Sequence, residues 1–167
     1  MRGFALGLQL PEDHFDPYYT TSFWGMRLIR YPPALPTPPE DGGTGCGEHT
    51  DYGCLTVVNQ DPNHPESLQA MKRDGEWVNV PPIDGHFPVN IGDMLSRWTN
   101  GRFRATPHRV MPTEGLERVS VPFFFEPNYD TRVEPLQCCV EPGCVPDFEA
   151  VVYGDHLLKK TSTNFAL

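Results

Sequence analysis

Residues 49–60 read His-Thr-Asp-Tyr-Gly-Cys-Leu-Thr-Val-Val-Asn-Gln, which places two potential metal ligands directly before an apolar run. Leu55–Gln60 is rich in β-branched residues, and these favour extended backbone. His49 and Asp51 are separated by one residue, and alternate side chains of an extended segment project to the same side. The stretch therefore predicts a strand. It also predicts that the segment leading into this strand holds a histidine and a carboxylate on the same side.

Short apolar runs follow along the chain, separated by many of its 19 prolines and 15 glycines. We expect strands at 26–31, 55–60, 87–91, 108–111 and 118–125, and a hairpin that pairs 68–72 with 77–80. Short helices are expected at 3–9, at 94–98 and within 147–160, and a long loop at 32–47. Seven or eight short strands with closely spaced turns favour a mainly β fold, either a jelly roll or a barrel.

The composition narrows the class of protein. A chain of 167 residues with 38% hydrophobic residues is long enough for one domain with a real core. Its formal net charge of −9 argues against a nucleic-acid partner, because phosphate binding needs clustered Lys and Arg.

Since no run of eighteen apolar residues exists, we expect no membrane span. The start of the chain, residues 1–8, is only weakly signal-like, so we expect a cytoplasmic protein. The sequence leaves its oligomeric state open.

His108 is the candidate for a third metal ligand, because it begins a predicted strand distant in sequence from His49 and Asp51. Two histidines and one carboxylate suit Fe(II) and leave coordination positions open for O2 and substrate. A closed zinc site would need a fourth ligand, and Cys54 is the only nearby cysteine. The five cysteines show no Cys-x-x-Cys spacing, so we interpret them as free thiols. The other histidines are expected at the surface or in capping roles: His14, His64, His86 and His156.

Arg118, Ser120 and Phe124 share one face of the predicted strand 118–125. A guanidinium can hold a carboxylate through two parallel hydrogen bonds, and a serine hydroxyl can add a third. If Arg118 points inward it needs an anionic partner, because an unpaired buried charge is costly. The alternative is that Arg118 points outward to solvent.

The motifs as a set resemble those of the Fe(II)- and 2-oxoglutarate-dependent dioxygenases, and more closely the isopenicillin N synthase-like branch. The matching segments are His49-Thr50-Asp51-Tyr52-Gly53, Asn90-Ile91-Gly92-Asp93, Trp98-Thr99-Asn100-Gly101, His108-Arg109-Val110, Arg118-Val119-Ser120, Tyr31-Pro32-Pro33 and Tyr153-Gly154-Asp155-His156. The resemblance covers residues 4 to 160. It implies a double-stranded β-helix (jelly roll) with short flanking helices at both ends.

The resemblance also implies roles for individual residues. His49, Asp51 and His108 would be the catalytic Fe(II) ligands, and Arg118 and Ser120 would bind the carboxylate of 2-oxoglutarate. Tyr31 would reach the same co-substrate, although members often have Asn two residues earlier and this chain has Ile29. Phe124 would contact the substrate, with core packing as the alternative.

The family's members carry an N-terminal scaffold before the stretch that begins here near Phe4. We therefore expect residues 1–22 to be the end of that helical region, 23–160 the jelly-roll domain, and 161–167 a tail.

Three functions follow from the resemblance. The first is an oxygenase that couples decarboxylation of 2-oxoglutarate to oxidation of a small organic substrate by O2. The second is an isopenicillin N synthase-like oxidase, in which the Arg-x-Ser motif holds a carboxylate of the substrate and 2-oxoglutarate is not used. The third is a truncated jelly-roll module that binds metal without catalysis.

Overall fold

The computed structural model describes residues 1–33, 45–113 and 115–164, and within these ranges the protein is mainly β. The elements in chain order are α1 (Arg2–Gly7), a 3-10 helix (Asp16–Tyr19), β1 (Gly25–Met26), β2 (Ile29–Tyr31), β3 (Cys46–His49), β4 (Leu55–Gln60), β5 (Leu68–Met71), β6 (Trp77–Asn79), β7 (Val89–Ile91), α2 (Asp93–Trp98), β8 (His108–Val110), β9 (Arg118–Phe125), β10 (Arg132–Val133), a 3-10 helix (Gln137–Cys139), β11 (Val151–Val152) and α3 (Tyr153–Asn164).

Two antiparallel sheets make up the centre of the fold. In the first, β9 pairs with β1 and β2 along one edge and with β4 along the other, and β4 pairs with β7. The second has four strands in the order β3-β8-β5-β6, while β10 and β11 pair separately. The two larger sheets face each other across a cavity lined by side chains from both. This is the predicted jelly roll, with helices at both ends.

The strongest sequence patterns correspond closely to the observed elements. β4 and β9 begin and end at the predicted residues, because β-branched and alternating runs specify extended backbone locally. The predicted hairpin is present as β5 and β6, and the turn between them contains Gly75 with φ of 88°. A positive φ is readily adopted by glycine, which explains its place in this turn.

The single strand predicted at 26–31 was wrong, since the segment is divided into β1 and β2. Both pair with β9 in one continuous register, Met26 opposite Phe123 and Ile29 opposite Ser120. Between them the amide of Arg27 donates to the Pro122 carbonyl at 3.1 Å. Pro122 has no amide hydrogen to donate in return, and the ladder is interrupted there.

The predicted loop at 32–47 falls largely on 34–44, which lie outside the described residues. Its last two residues are not loop but the start of β3, because β3 pairs with β8. The pairing contains an irregularity: Cys46 lies opposite Val110 and His49 opposite His108. Three steps along β3 thus match two along β8, which is the geometry of a β-bulge.

The main hydrophobic core lies where the helices pack against the end of the first sheet. Trp98 of α2 is at its centre, 2% exposed. Its ring lies 5.2 Å from those of Phe15 and of Tyr18, measured between centroids. The N-terminal segment therefore shares a core with α2 and α3. Buried members of the cluster are Ala5, Leu8, Phe15, Cys54, Met94, Leu95, Trp98, Val133 and Tyr153.

The terminal helices differ from the predictions mainly in their ends. α1 ends at Gly7, and Gln9 follows with φ of 60°, so the turn precedes Pro11. α3 begins at Tyr153 and extends to Asn164, past the predicted end at 160. The predicted domain boundaries at 22 and 160 stay a prediction. In the described ranges, no helix combines the length and apolar character that crossing a membrane requires.

The start of α2 is held against the segment that follows Asp51. The amides of Gly92, Asp93 and Met94 donate to the carbonyls of Cys54, Asp51 and Gly53 at 2.8–2.9 Å. These bonds satisfy amides that a helix start would otherwise leave unpaired. A Cβ at Gly92 would collide with the Gly53 carbonyl.

We expect Gly92→Ala to destabilise the protein by about 1–3 kcal/mol, the usual range for overpacking, because the obstacle is backbone and cannot rotate away. Thermal unfolding followed by circular dichroism should show a lower Tm. Gly3→Ala is the matched control, since nothing lies within 4 Å of a Cβ there. An unchanged Tm for the Gly92 variant would contradict this packing.

Candidate active site

Three side chains predicted as metal ligands converge at one end of the cavity. Ligand atoms of His49, Asp51 and His108 all lie within 4.8 Å of one another. The Asp51 Oδ1 atom is 3.6 Å from His108 Nε2 and 3.9 Å from His49 Nε2. The two histidines are opposite each other in the β3–β8 pairing, with ring centroids 4.3 Å apart. The group could hold one metal ion on a single face of its coordination sphere.

Backbone contacts set the tautomer of both histidines. The Nδ1 atom of His49 lies 2.8 Å from the Gly47 carbonyl oxygen, and that of His108 lies 3.0 Å from the Thr106 carbonyl oxygen. A carbonyl can only accept, so in each ring Nδ1 carries the proton and donates. Each Nε2 then carries the lone pair that a metal ligand requires, and each lies on the side of Asp51, although the Asn90 amide is also 3.4 Å from His108 Nε2.

Asn90 orients the carboxylate of Asp51. Its Nδ2 atom donates to Asp51 Oδ2 at 3.3 Å, which leaves Oδ1 facing the two histidines. Asn90 reaches this position because β7 pairs with β4. No local sequence pattern points to this role, since the contact of Asn90 with Asp51 depends on that long-range pairing.

A second polar network supports the same loop from outside the cavity. Asp93 accepts hydrogen bonds from His156 at 3.0 Å and from Lys160 at 2.9 Å, which ties α3 to α2. Burial by itself would raise the pKa of Asp93, but the bonds from His156, Lys160 and Thr50 lower it below its ordinary value. Asp93 is therefore ionised at neutral pH, and its amide donates to the Asp51 carbonyl.

Cys54 does not complete a zinc site. It is fully buried in the main core, and burial raises the pKa of its thiol. Among the described residues, the group that could bind a metal contains no cysteine. All five cysteines are free thiols, as predicted. An open three-residue site fits the geometry better than a closed tetrahedral one.

The cavity between the sheets has a volume of about 660 Å³ and contains Arg118 as well as the three candidate ligands. Arg118 is 2% exposed, so the alternative in which it points to solvent is wrong. Its Nε and Nη1 atoms have no hydrogen-bond partner among the described residues. Burial lowers the pKa of its guanidinium, and nearby Tyr31 opposes the change. A buried cation with free donors is costly, and an anion placed against this wall would offset that cost.

The other predicted binding residues also line the cavity. Tyr31 is buried opposite Arg118 in the β2–β9 pairing, and the Arg118 guanidinium carbon lies 5.0 Å from the centroid of its ring. Ser120 is buried on the same face of β9 as Arg118. Phe124 is half-buried farther along that face, with the Arg27 guanidinium carbon 5.9 Å from its ring centroid.

Thr56 and Glu126 are cavity residues that were not among the predicted site residues. Each has a buried oxygen, Thr56 Oγ1 and Glu126 Oε2, without a hydrogen-bond partner in the described ranges. Burial raises the pKa of Glu126 to about 7, the Tyr153 hydroxyl acts in the opposite direction, and Asp51 adds to the increase. The cavity-facing position of Glu126 could have been predicted from the sequence, because Glu126 continues the alternation of Arg118, Ser120 and Phe124.

His64 was wrongly expected at the surface. It is 3% exposed, and its ring contacts Thr113 Oγ1 at 3.1 Å and the Glu117 carbonyl oxygen at 2.9 Å. Two partners satisfy both ring nitrogens, so burial costs little. His64 is absent from the cavity lining and has a structural position.

Comparison with known proteins gives a consistent result. Residues 23–127 match the family described as the 2OG-Fe(II) oxygenase superfamily. The chain is 48% identical to homoarginine-6-hydroxylase 2-ODD-233 of Oryza sativa subsp. japonica, over all of this chain and 52% of that protein. It is 43% identical to homoarginine-6-hydroxylase 2-ODD-C23.1 of Arabidopsis thaliana, again over all of this chain and 52% of the relative.

A solved structure with the same fold contains a bound keto acid. A full-length protein of Neurospora crassa, crystallised in complex with alpha-KG, superimposes with a TM-score of 0.85 at 28% identity, over 97% of this chain and 51% of that one. The chain thus spans about half the length of the proteins that it matches.

We expect His108→Ala to lose at least about 100-fold in Fe(II) affinity, because removing one of three ligands leaves an incomplete face. Calorimetric titration with Fe(II) under argon measures this directly. His86→Ala is the control, since the contact of that exposed ring is to the Asp84 carbonyl. Equal affinity of the two variants would exclude this metal site.

Asn90→Ala should weaken Fe(II) binding by about 10–100-fold, because the Asp51 carboxylate loses the donor that orients it. The same calorimetric titration with Fe(II) measures this loss. Asn79→Ala is the control, since Asn79 is exposed and contacts Gln69 instead. Wild-type affinity in the Asn90 variant would show that the bond to Asp51 has no positioning role.

Proposed function

Because the chain belongs to the 2OG-Fe(II) oxygenase superfamily, we propose that it oxidises a small organic substrate with Fe(II), 2-oxoglutarate and O2. The observation that carries the proposal is the shared cavity of the three candidate ligands and Arg118. The Nε and Nη1 donors of its buried guanidinium have no hydrogen-bond partner, and it forms no ion pair among the described residues, although the Asp61 carboxylate raises its pKa from a distance. A dicarboxylate that bridges the metal and Arg118 would satisfy both ends of this arrangement.

The donor set fits ferrous iron. His49 and His108 offer Nε2 lone pairs, and Asp51 offers one carboxylate oxygen. Three ligands on one face would leave the remaining positions for the keto acid and O2. Bound Fe(II) would supply the centre at which O2 is reduced.

The overall reaction balances without another reductant. A substrate C–H becomes C–OH and 2-oxoglutarate becomes succinate and CO2; one oxygen atom of O2 enters the C–OH product and the other enters succinate. Arg118 and Ser120 would hold the distal carboxylate of 2-oxoglutarate, with Tyr31 packed against the guanidinium. The cavity lining also includes the apolar side chains of Val58 and Val110, which would help to exclude water from the reacting groups.

For the substrate, we propose a free amino acid with a positively charged side chain, such as L-homoarginine. Both relatives described above are named homoarginine-6-hydroxylases, and each aligns with all of this chain. The cavity holds charges of both signs beyond the metal ligands, including exposed Arg27 and buried Glu126. Because the chain spans about half of each relative, activity and substrate are proposals for it.

We expect Arg118→Gln to weaken 2-oxoglutarate binding by about 100-fold or more while Fe(II) affinity stays at the wild-type value. Truncating one partner of a buried charge pair has an effect of this size. The measurement is the visible charge-transfer band that forms when 2-oxoglutarate is added to the Fe(II) protein without oxygen. Arg30→Gln is the control, since Arg30 is exposed and pairs with Glu117.

Succinate formation, measured by mass spectrometry, separates the alternatives. Oxygen-dependent succinate supports the proposed reaction. Substrate oxidation without succinate would instead support an isopenicillin N synthase-like oxidase, in which Arg118 holds a substrate carboxylate. A charge-transfer band without any turnover would support a module that binds metal but does not catalyse. If no band forms, 2-oxoglutarate is not the co-substrate.

A further inference from the structure

Glu126 is a buried carboxyl group at the end of the cavity-facing side of β9. Every second residue from Arg118 onward lines the cavity: Arg118, Ser120, Pro122, Phe124 and Glu126. The series thus runs from a cation through a hydroxyl and two apolar side chains to an acid. Glu126 is 6% exposed, and its Oε2 atom has no hydrogen-bond partner in the part of the chain that the structure describes. The cavity wall therefore has a positive end and an acidic end.

The surroundings of Glu126 provide no compensating positive charge. Tyr153 gives its carboxyl group a neutral hydrogen bond, and the charge that acts on its pKa is that of Asp51, which is also acidic. No Lys or Arg of the described ranges forms an ion pair with it. A buried acid without a cation is costly to ionise, and a ligand that brings a positive charge removes that cost.

Glu126 also lies beside the metal-binding segment rather than at the cavity mouth. Gly53, two residues after Asp51, packs so closely on the Glu126 carboxyl group that a Cβ there would collide with it. In homoarginine, carbon 6 carries the guanidino nitrogen. Oxidation at that carbon requires the charged group to lie within a bond of the reacting atom, and hence near the metal ligands.

We infer that Glu126 receives the positively charged end of the substrate and thereby selects cationic amino acids. The inference rests on the proposed function, because it places the substrate beside the metal. A guanidinium N–H that donates to this carboxyl group would neutralise its charge and hold the cationic end of the substrate in place. Because Glu126 lies beside the metal-binding segment, the substrate carbon next to the cationic group is the one placed for oxidation.

The test compares L-homoarginine with L-homocitrulline, which has nearly the same shape but a neutral urea in place of the guanidinium. Calorimetry under argon measures the binding of each to protein loaded with Fe(II) and 2-oxoglutarate. The wild-type protein should bind homoarginine about 100-fold more tightly, since a site built for a charged donor rejects a neutral analogue. E126Q should reduce this preference to less than about tenfold by losing homoarginine affinity alone.

Glutamine keeps the size of the side chain and its capacity to accept from Tyr153, so a purely structural role predicts a different result. Equal weakening of both ligands in E126Q would overturn the inference, as would binding of neither amino acid to the wild-type protein. E48Q is the matched control, because Glu48 lines the same cavity but is exposed. Loss of the preference in E48Q instead of E126Q would assign the selection to Glu48 and overturn the inference as well.

The proposed function is checked in the same samples by the 2-oxoglutarate charge-transfer band. Loss of selectivity in E126Q with an unchanged band supports the inference. A wild-type protein that forms the band but does not distinguish the two amino acids overturns the inference and leaves the proposed co-substrate intact. Absence of the band in the wild type counts against the proposed function, while discrimination between the two amino acids is still read from binding.

Discussion

The alternation of side chains along β9 is the constraint on which both the fold and the cavity depend. This strand has paired neighbours on both edges, so its register and its two faces are set by β1 and β2 on one side and by β4 on the other. One face presents Arg118, Ser120, Phe124 and Glu126 to the cavity. A shift by one residue would turn all of them away. The ladder that holds the first sheet together thus also sets the charge along the cavity wall.

The second sheet presents the metal ligands through a local departure from regular pairing. Cys46 and His49 are three residues apart, and in a regular strand they would point to opposite faces. Their side chains nevertheless lie on one side, with Cys46 Sγ 3.7 Å from His49 Nδ1, because the bulge in β3 inserts an extra residue between them. Asp51 lies beyond the end of β3 and is positioned from the other side, by Asn90 and by the first amides of α2. The ligand set therefore joins both sheets and the helical core.

Buried polar groups without partners connect the stability of this cavity to its ligands. The unpaired donors of Arg118 and the unpaired oxygens of Thr56 and Glu126 cost free energy in the protein alone. A ligand that supplies an anion at one end and a cation at the other would remove these costs. Binding and stability are then linked, and the protein should be more stable in the presence of such ligands. The N-terminal segment contributes separately, through its packing on Trp98.

Local patterns in the chain were sufficient to predict β4, β9, the hairpin and the shared side of His49 and Asp51, because side-chain periodicity acts over a few residues. His108 is distant in sequence, and its convergence with these two residues was expected from the resemblance of the motifs as a set. The inward position of Arg118 was left open by those patterns and was decided by burial within the sheet. The bulge, the break at Pro122, and the contact of Asn90 with Asp51 depend on which strand lies opposite, and partners distant in sequence leave no local periodicity. Tertiary pairing alone therefore determined how the ligands are oriented and which charged groups line the cavity.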